Sequence, residues 1–187
     1  MLCFSACKQQ AEKFDPLPVA EKYYSALNRG VSSALSDLIN DTLTTLEPKY
    51  DYEQKFSLVD YTNWLEWDAV FSPTYELQSM EVKDGVVEAV VSKMDKRIAF
   101  LHEEPTVIRQ ALYFNQGKIS AIETREELKF NAELWNAKRQ LLLDWIAANH
   151  PEMESFIFDQ TKAGGRRYLK ALDLYAARDS IETQKIR

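Results

Sequence analysis

Cysteine is nearly missing from this chain. Of 187 residues only Cys3 and Cys7 carry a thiol, and both sit at the extreme N-terminus. The folded part therefore has no disulfide and no cysteine metal ligand. Histidine is as scarce, with His102 and His150 alone, so a transition-metal site, which draws on these two residue types, is not expected. The Gly pair in Ala163-Gly164-Gly165-Arg166-Arg167 lacks the spacing of a phosphate loop or a dinucleotide fingerprint and reads as a helix entry. There is no Gly-x-Ser-x-Gly turn to present a nucleophilic serine. These absences imply no cofactor. No apolar run approaches the roughly 18 residues that suggest a membrane-spanning helix. Positive charge is also short: the formal net charge is −6, and the tightest basic cluster is only Lys162, Arg166, Arg167 and Lys170. Nucleic acid is therefore not expected as a main partner, because phosphate binding needs a basic surface.

What is present is ordinary for a globular chain, with 45% apolar and 28% charged residues, enough for one domain with a core and an appendage. At the N-terminus, Phe4-Ser5-Ala6-Cys7 has small residues directly before a cysteine. One reading is two free thiols on a frayed tail. The other is a resemblance to a bacterial lipoprotein processing site, with Cys7 as the lipidated first residue, although only six residues precede it and they hold no basic region. On that reading acyl chains anchor the protein, each buried CH₂ worth about 0.8 kcal/mol, and the protein sits in the bacterial cell envelope facing the periplasm or the surface. Membrane contact would run only through Cys7. Residues 8–15 would be a polar tether, ended by Pro16 and Pro18.

Helical spacing then runs through Val19, Ala20, Tyr23, Tyr24 and Leu27, with Gly30 as a stop. A second, shorter helix is predicted from Ser32 or Ser33 to Ile39. Residues 40–60 are less regular. Trp64, Trp67, Asp68 and Phe71 share one helical face, with Asp60 or Thr62 as N-cap, and Pro73 ends that element. Two hairpins follow, 75–82 against 86–94 and 106–114 against 118–124. They pivot on Lys83-Asp84-Gly85 and Asn115-Gln116-Gly117, each read as a three-residue loop with its Gly at positive φ. Between them Ile98, Phe100 and Leu101 suggest a strand inside a charged connection. From Glu126 the period turns helical again, with Leu128, Leu134, Trp135, Leu141, Leu142, Trp145 and Ile146 as its apolar stripe. A last helix is predicted over 162–177, with Tyr168, Leu169, Leu172 and Tyr175 inward.

The segments 20–30, 80–87 and 112–119, in their order and spacing, resemble the nuclear transport factor 2-like superfamily, its SnoaL-like polyketide cyclase branch above all. The resemblance spans about 18–124. It implies an α+β fold in which helices line a cone closed by a curved antiparallel sheet, a pocket inside the cone, and frequent homodimers. It also implies functional breadth, from isomerases and cyclases to members that only bind, so fold does not settle function. The organisation expected is a signal remnant and tether over 1–17, a cone domain over 18–125, and a helical extension over 126–187.

Five groups of residues are candidates for a site. With a three-residue second loop, Arg109 faces Glu123, and both share a sheet face with Tyr113 because side chains alternate. In the cone they would form a polar patch, with Arg109 orienting an anion, Glu123 as a base and Tyr113 as a donor. On the outer face they would be a cross-strand ion pair worth well under about 1 kcal/mol. Asp68, between Trp64 and Trp67, is a second candidate base if the indoles desolvate it; a solvated Asp68 beside two packing indoles is the alternative. His102 with Glu103 and Glu104 is either a dyad or a surface cluster. His150 sits at a helix end, where an imidazolium suits the dipole. The aromatics crowding the first half suit a core or a small-molecule pocket. The expected function is thus an envelope-associated pocket protein that binds a small, partly apolar ligand or a protein partner. The alternatives are a cofactor-free lyase or isomerase with Asp68 or Glu123 as base, and a scaffold acting through its C-terminal helices.

Overall fold

A computed structural model describes residues 14–30, 32–153 and 155–178; Cys7 and the tether residues before 14 lie outside them. Helix α1 (Leu17–Arg29) has Pro18 in its first turn and ends on Gly30 in the left-handed region. It buries Ala20, Tyr23, Tyr24 and Ala26. Where a second helix to Ile39 was predicted, a 3₁₀ turn over Ser32–Asp37 leads into strand β1 (Ile39–Glu47). Strand β2 (Tyr52–Ser57) returns antiparallel to it. Both strands fall in the stretch that looked irregular. In β1 only Ile39 and Leu43 are buried, so the alternation that marks a half-buried strand is weak.

Helix α2 (Leu58–Ala69) starts one residue after Ser57, whose Oγ accepts the Asp60 N–H at 3.1 Å; Ser57 is thus the N-cap in place of Asp60 or Thr62. Strands β3 (Thr74–Lys83) and β4 (Val86–Met94) form the first hairpin. The charged connection holds a short helix, α3 (Lys96–Leu101), not a strand. Its N-cap is Asp95, which accepts the Ile98 N–H at 2.6 Å. Strands β5 (Thr106–Asn115) and β6 (Lys118–Lys129) form the second hairpin.

Both hairpins close on two central residues rather than three. Lys83 pairs with Val86 and Asn115 with Lys118. φ is positive at Asp84 and Gly85, and at Gln116 and Gly117. Paired positive φ values mark the turn whose twist matches the flanking strands. The sheet order is β2-β1-β6-β5-β4-β3, antiparallel except for the β1–β6 pair. β6 runs through the 125/126 boundary expected from the sequence, so Leu128 is an exposed strand residue and not part of a helix.

Helix α4 (Ala132–Asn149) is capped by Asn131 and buries Leu142 and Ile146, while Leu141 is 57% exposed. Helix α5 (Lys162–Ala176) is capped by Thr161 and buries Tyr168, Ala171 and Leu172. Two cores result. One lies between the sheet, α1 and the start of α2, around Tyr24, Leu43, Val87, Leu112 and Ile119. The other joins α2 to the helical extension through Trp67, Phe71, Leu142, Ile146, Phe156 and Tyr168. His102 ties the two parts together. Its Nε2 accepts the Asn131 N–H at 2.8 Å, its Nδ1 lies 2.7 Å from the Glu104 carbonyl oxygen, and its ring stacks on Phe130. It is 4% exposed, a buried linker and neither a dyad nor a surface residue.

Candidate functional site in the cone

The concave face of the sheet, α1 and α2 enclose a cavity of about 550 Å³, within the usual range of small-molecule sites. Its floor is the inward row of three strands: Val91 and Lys93 of β4, Ile108 and Gln110 of β5, Ile122 and Thr124 of β6. Its roof is Tyr23 and Leu27 of α1 with Tyr61, Trp64 and Leu65 of α2. Glu47, Tyr50, Tyr52 and Gln54 stand along the β1–β2 side, joined by Gln160 from the segment before α5.

Polar groups inside are fixed by one another. Tyr23 and Tyr61 share a hydrogen bond between their hydroxyls, and the Tyr24 hydroxyl donates to Gln110 Oε1 at 2.9 Å. The Tyr75 hydroxyl donates to Asp68 Oδ2 at 2.7 Å, and Lys93 Nζ donates to Asp68 Oδ1 at 2.6 Å. Arg97 reaches Asp95 at 3.1 Å and Asp68 at 3.5 Å, and Lys93 lies 3.7 Å from Asp95. Two carboxylates and two cations thus close a network in which Asp68 is 1% and Asp95 3% exposed. Burial pushes the Tyr23, Tyr61 and Tyr75 phenols up, and at Tyr75 the Asp68 carboxylate pushes the same way. These phenols stay neutral and can donate or accept hydrogen bonds.

Glu47 is different. Its carboxyl makes no hydrogen bond or ion pair among the described residues. Burial, then the Glu127 carboxylate, raises its pKa from the ordinary glutamate value. Glu127 itself accepts from Lys49 and from the Tyr50 hydroxyl. Glu47 on β1 and Lys93 on β4 are separated by β6 and β5. They stand on opposite sides of the cavity.

The site residues expected from the sequence divide three ways. Trp64 lines the cavity. Asp68 stands behind the wall, touching the cavity through Tyr75 and Lys93, with both oxygens already engaged. Trp67 turns away into the second core, against Phe71 and beneath the Arg97 guanidinium. Arg109, Tyr113 and Glu123 lie on the convex face, opposite Gln110, Leu112 and Ile122. There the Tyr113 hydroxyl donates to Glu123, Arg125 reaches Glu123 at 3.6 Å and Glu88 as well, and Arg109 pairs with Glu126 at 3.2 Å. The expected Arg109–Glu123 pairing fails for a physical reason. The β5–β6 register shifts three times, between Val107 and Ile108, Arg109 and Gln110, and Tyr113 and Phe114. The two-residue turn moves the ladder by one position and the bulge at Tyr113/Phe114 by one more, which leaves Ala111 opposite Glu123; the bulge at Arg109/Gln110 then sets Arg109 opposite Glu126.

The sequence reading missed Lys93, Tyr75, Gln110 and Glu47. A signal existed for the first: Val87, Ala89, Val91 and Lys93 alternate along one strand face, and a lysine ending an apolar row points its charge toward the core side. Among the described residues no group of three His, Cys, Asp or Glu side chains is placed to hold a metal, and no helix is long and apolar enough to cross a membrane.

No family model matches the chain, and no curated protein matches it. Solved structures do. A candidate polyketide cyclase from Acidithiobacillus ferrooxidans is 8% identical with a TM-score of 0.53, over 70% of this chain and 98% of that one. A candidate ketosteroid isomerase from Kribbella flavida is 14% identical with a TM-score of 0.50, over 62% of this chain and 82% of that one. An NTF2-like protein of unknown function from Cytophaga hutchinsonii is 13% identical with a TM-score of 0.47, over 61% of this chain and 91% of that one. The fold is the nuclear transport factor 2-like cone, an α+β architecture with a curved sheet of six strands. Likeness at these identities speaks to fold alone.

Proposed function

We propose that the cone binds a small, partly apolar molecule carrying an acceptor oxygen at one end. The observation behind this reading is the cavity of about 550 Å³ with the Lys93 ammonium in one wall beside neutral phenols. Apolar floor and aromatic roof supply contact area, and Lys93, Tyr23 and Tyr61 supply orientation. Cyclic ketones of one to three fused rings are suitable probes, read by tryptophan fluorescence because Trp64 lines the roof. Saturable quenching is expected, and substitution of Thr45, which lines the cavity from β1, by the larger side chain in Thr45→Trp is expected to abolish it. Quenching that survives this substitution in a folded protein would remove the cone from the reading.

Glu47 favours a second reading, a cofactor-free proton transfer of the lyase or isomerase kind. A carboxyl with no ionic partner at the edge of a cavity, its pKa raised by burial, is suited to act as a general base. Asp68 is less suited, since it must first give up Tyr75 or Lys93. Deuterium uptake at the α-carbon of a bound ketone, followed by NMR, separates the readings. Uptake lost in Glu47→Gln with binding retained supports catalysis; no uptake in the native protein leaves binding alone.

Cys7 is proposed as a lipid attachment point in the bacterial envelope, supported by the small residues Ser5 and Ala6 before it. Metabolic labelling with an alkyne fatty acid is expected to mark the native chain and not Cys7→Ser. Equal labelling of both would exclude that site.

A further inference from the structure

A second cavity, of about 410 Å³, lies outside the cone where α1 and α2 meet α5 of the helical extension. Its walls are apolar, built by Leu27, Leu65 and Leu169. Its rim is charged: Glu66 on α2 faces Lys162 and Arg166 on α5. Lys162, Arg166 and Leu169 are spaced so that one helical face presents all three to the same space.

The charges at this rim do not cancel. Lys162 is 3.6 Å from Glu66, which offsets one positive charge with one negative. Arg166 is exposed, and its guanidinium has no ion pair or hydrogen bond among the described residues. Among the described residues the other carboxylate lining the cavity is Asp68, and its oxygens are occupied by Tyr75 and Lys93. The cavity therefore offers an apolar body with one unmatched guanidinium at its mouth. A guanidinium binds a carboxylate through two parallel hydrogen bonds.

We propose that this cavity is a second binding site, for an amphiphilic carboxylate whose hydrocarbon part lies between Leu27, Leu65 and Leu169 and whose head pairs with Arg166. The occupant is thus a medium-chain fatty acid or a compound of the same chemistry. The site exists only because the extension packs on the cone, since α5 contributes both the guanidinium and one apolar wall. Leu27, Leu65 and Tyr75 line this cavity and the cone cavity alike, so the two spaces share a wall and are separable by filling one at a time.

The test uses the full chain and two probes, decanoate and decylamine, titrated by isothermal calorimetry, with circular dichroism confirming that each variant is folded. Decanoate is expected to bind saturably and decylamine at least about tenfold more weakly, since only the former complements Arg166. Ala69→Phe, which occupies the cavity from the end of α2, is expected to abolish decanoate binding. Arg166→Gln is expected to weaken it about fivefold, the scale of one exposed ion pair, and because Arg166 is at the surface this variant keeps the fold. Thr45→Trp, which fills only the cone, is expected to leave decanoate affinity unchanged. The proposal is overturned by no saturable decanoate binding to the native chain, by equal binding of the two probes, by full affinity in Arg166→Gln, or by loss of binding in Thr45→Trp. The last outcome would place the fatty acid in the cone and leave the ketone reading to its own test.

Discussion

The two faces of the sheet are built from the same strands and differ in almost every physical respect. On β5, Gln110 and Leu112 point into the cone, where Leu112 is 0% exposed and Gln110 accepts from buried Tyr24. One residue along in each direction, Arg109, Ala111 and Tyr113 point outward, into the polar network of Glu88, Glu123, Arg125 and Glu126. The inner face has few polar groups, and apart from Glu47 at the edge the central ones, Lys93, Gln110 and the Tyr23–Tyr61 pair, are held by buried partners. The outer face has many, each with water as an alternative partner. A charge-rich constellation is therefore a poor guide to a site in this fold. The inner polar groups are few because each must be matched inside a low-dielectric space.

The largest effect expected from this contrast is at Asp68. Asp68→Ala strips Lys93 and Arg97 of a buried counter-charge and should cost about 3–5 kcal/mol, while Glu123→Ala on the outer face should cost less than about 1 kcal/mol. Urea denaturation measures both, and similar losses would erase the distinction. Next, Leu112→Ala should cost about 2–5 kcal/mol through lost burial and a cavity. Tyr113→Phe, at the adjoining residue, should stay within about 1 kcal/mol. If the costs are reversed, the faces have been assigned the wrong way round.

A smaller effect tests the register. A double-mutant cycle between Arg109 and Glu126 should give a coupling of about 0.2–1 kcal/mol, and one between Arg109 and Glu123 should give none. Coupling to Glu123 alone would restore the register expected from a three-residue loop.

The smallest effect is one of sign. Burial raises the Glu47 pKa, so between the ordinary glutamate value and that raised value the folded state binds more protons than the unfolded state, and stability falls as pH rises through that window. Hydrogen bonding from Lys83 lowers the Glu88 pKa, so its contribution is present above the ordinary value and is lost as pH falls through the lowered one. Glu47→Gln should therefore raise the melting temperature at pH 7, and Glu88→Gln should lower it. Both differences should vanish at acid pH, where each carboxyl is protonated in both states. Shifts of the same sign at pH 7 would contradict the environments described here.

Local patterns carried much of the fold. The α1 period, the Gly stop at Gly30, the two hairpins and the apolar spacing of α4 and α5 are all readable because each depends on residues within a few positions of one another. The alternation along β5 and β6 also separated Leu112, Gln110 and Ile122 from Arg109, Tyr113 and Glu123 correctly. Which of those two sets met the helices was not readable, because that choice is made by α1 and α2, far off in sequence. The strands β1 and β2 were hidden for a related reason: β1 joins the sheet through a parallel pairing with β6, which no turn signals. His102 looked like a surface residue among glutamates because its partner, the Asn131 N–H, lies across β5 and β6.

The sequence by itself determined the helices, the hairpins and the alternating faces, since these follow from hydrogen bonds and side-chain directions set within a few residues. Only the tertiary structure decided where the charges ended up. A two-residue turn and two bulges moved Arg109 from Glu123 to Glu126, burial closed Asp68 onto Lys93 and Tyr75, and the docking of α5 on α2 opened a second cavity beside the cone. Those outcomes depend on contacts between residues far apart in the chain, and their energies come from desolvation and packing, which have no period along a sequence.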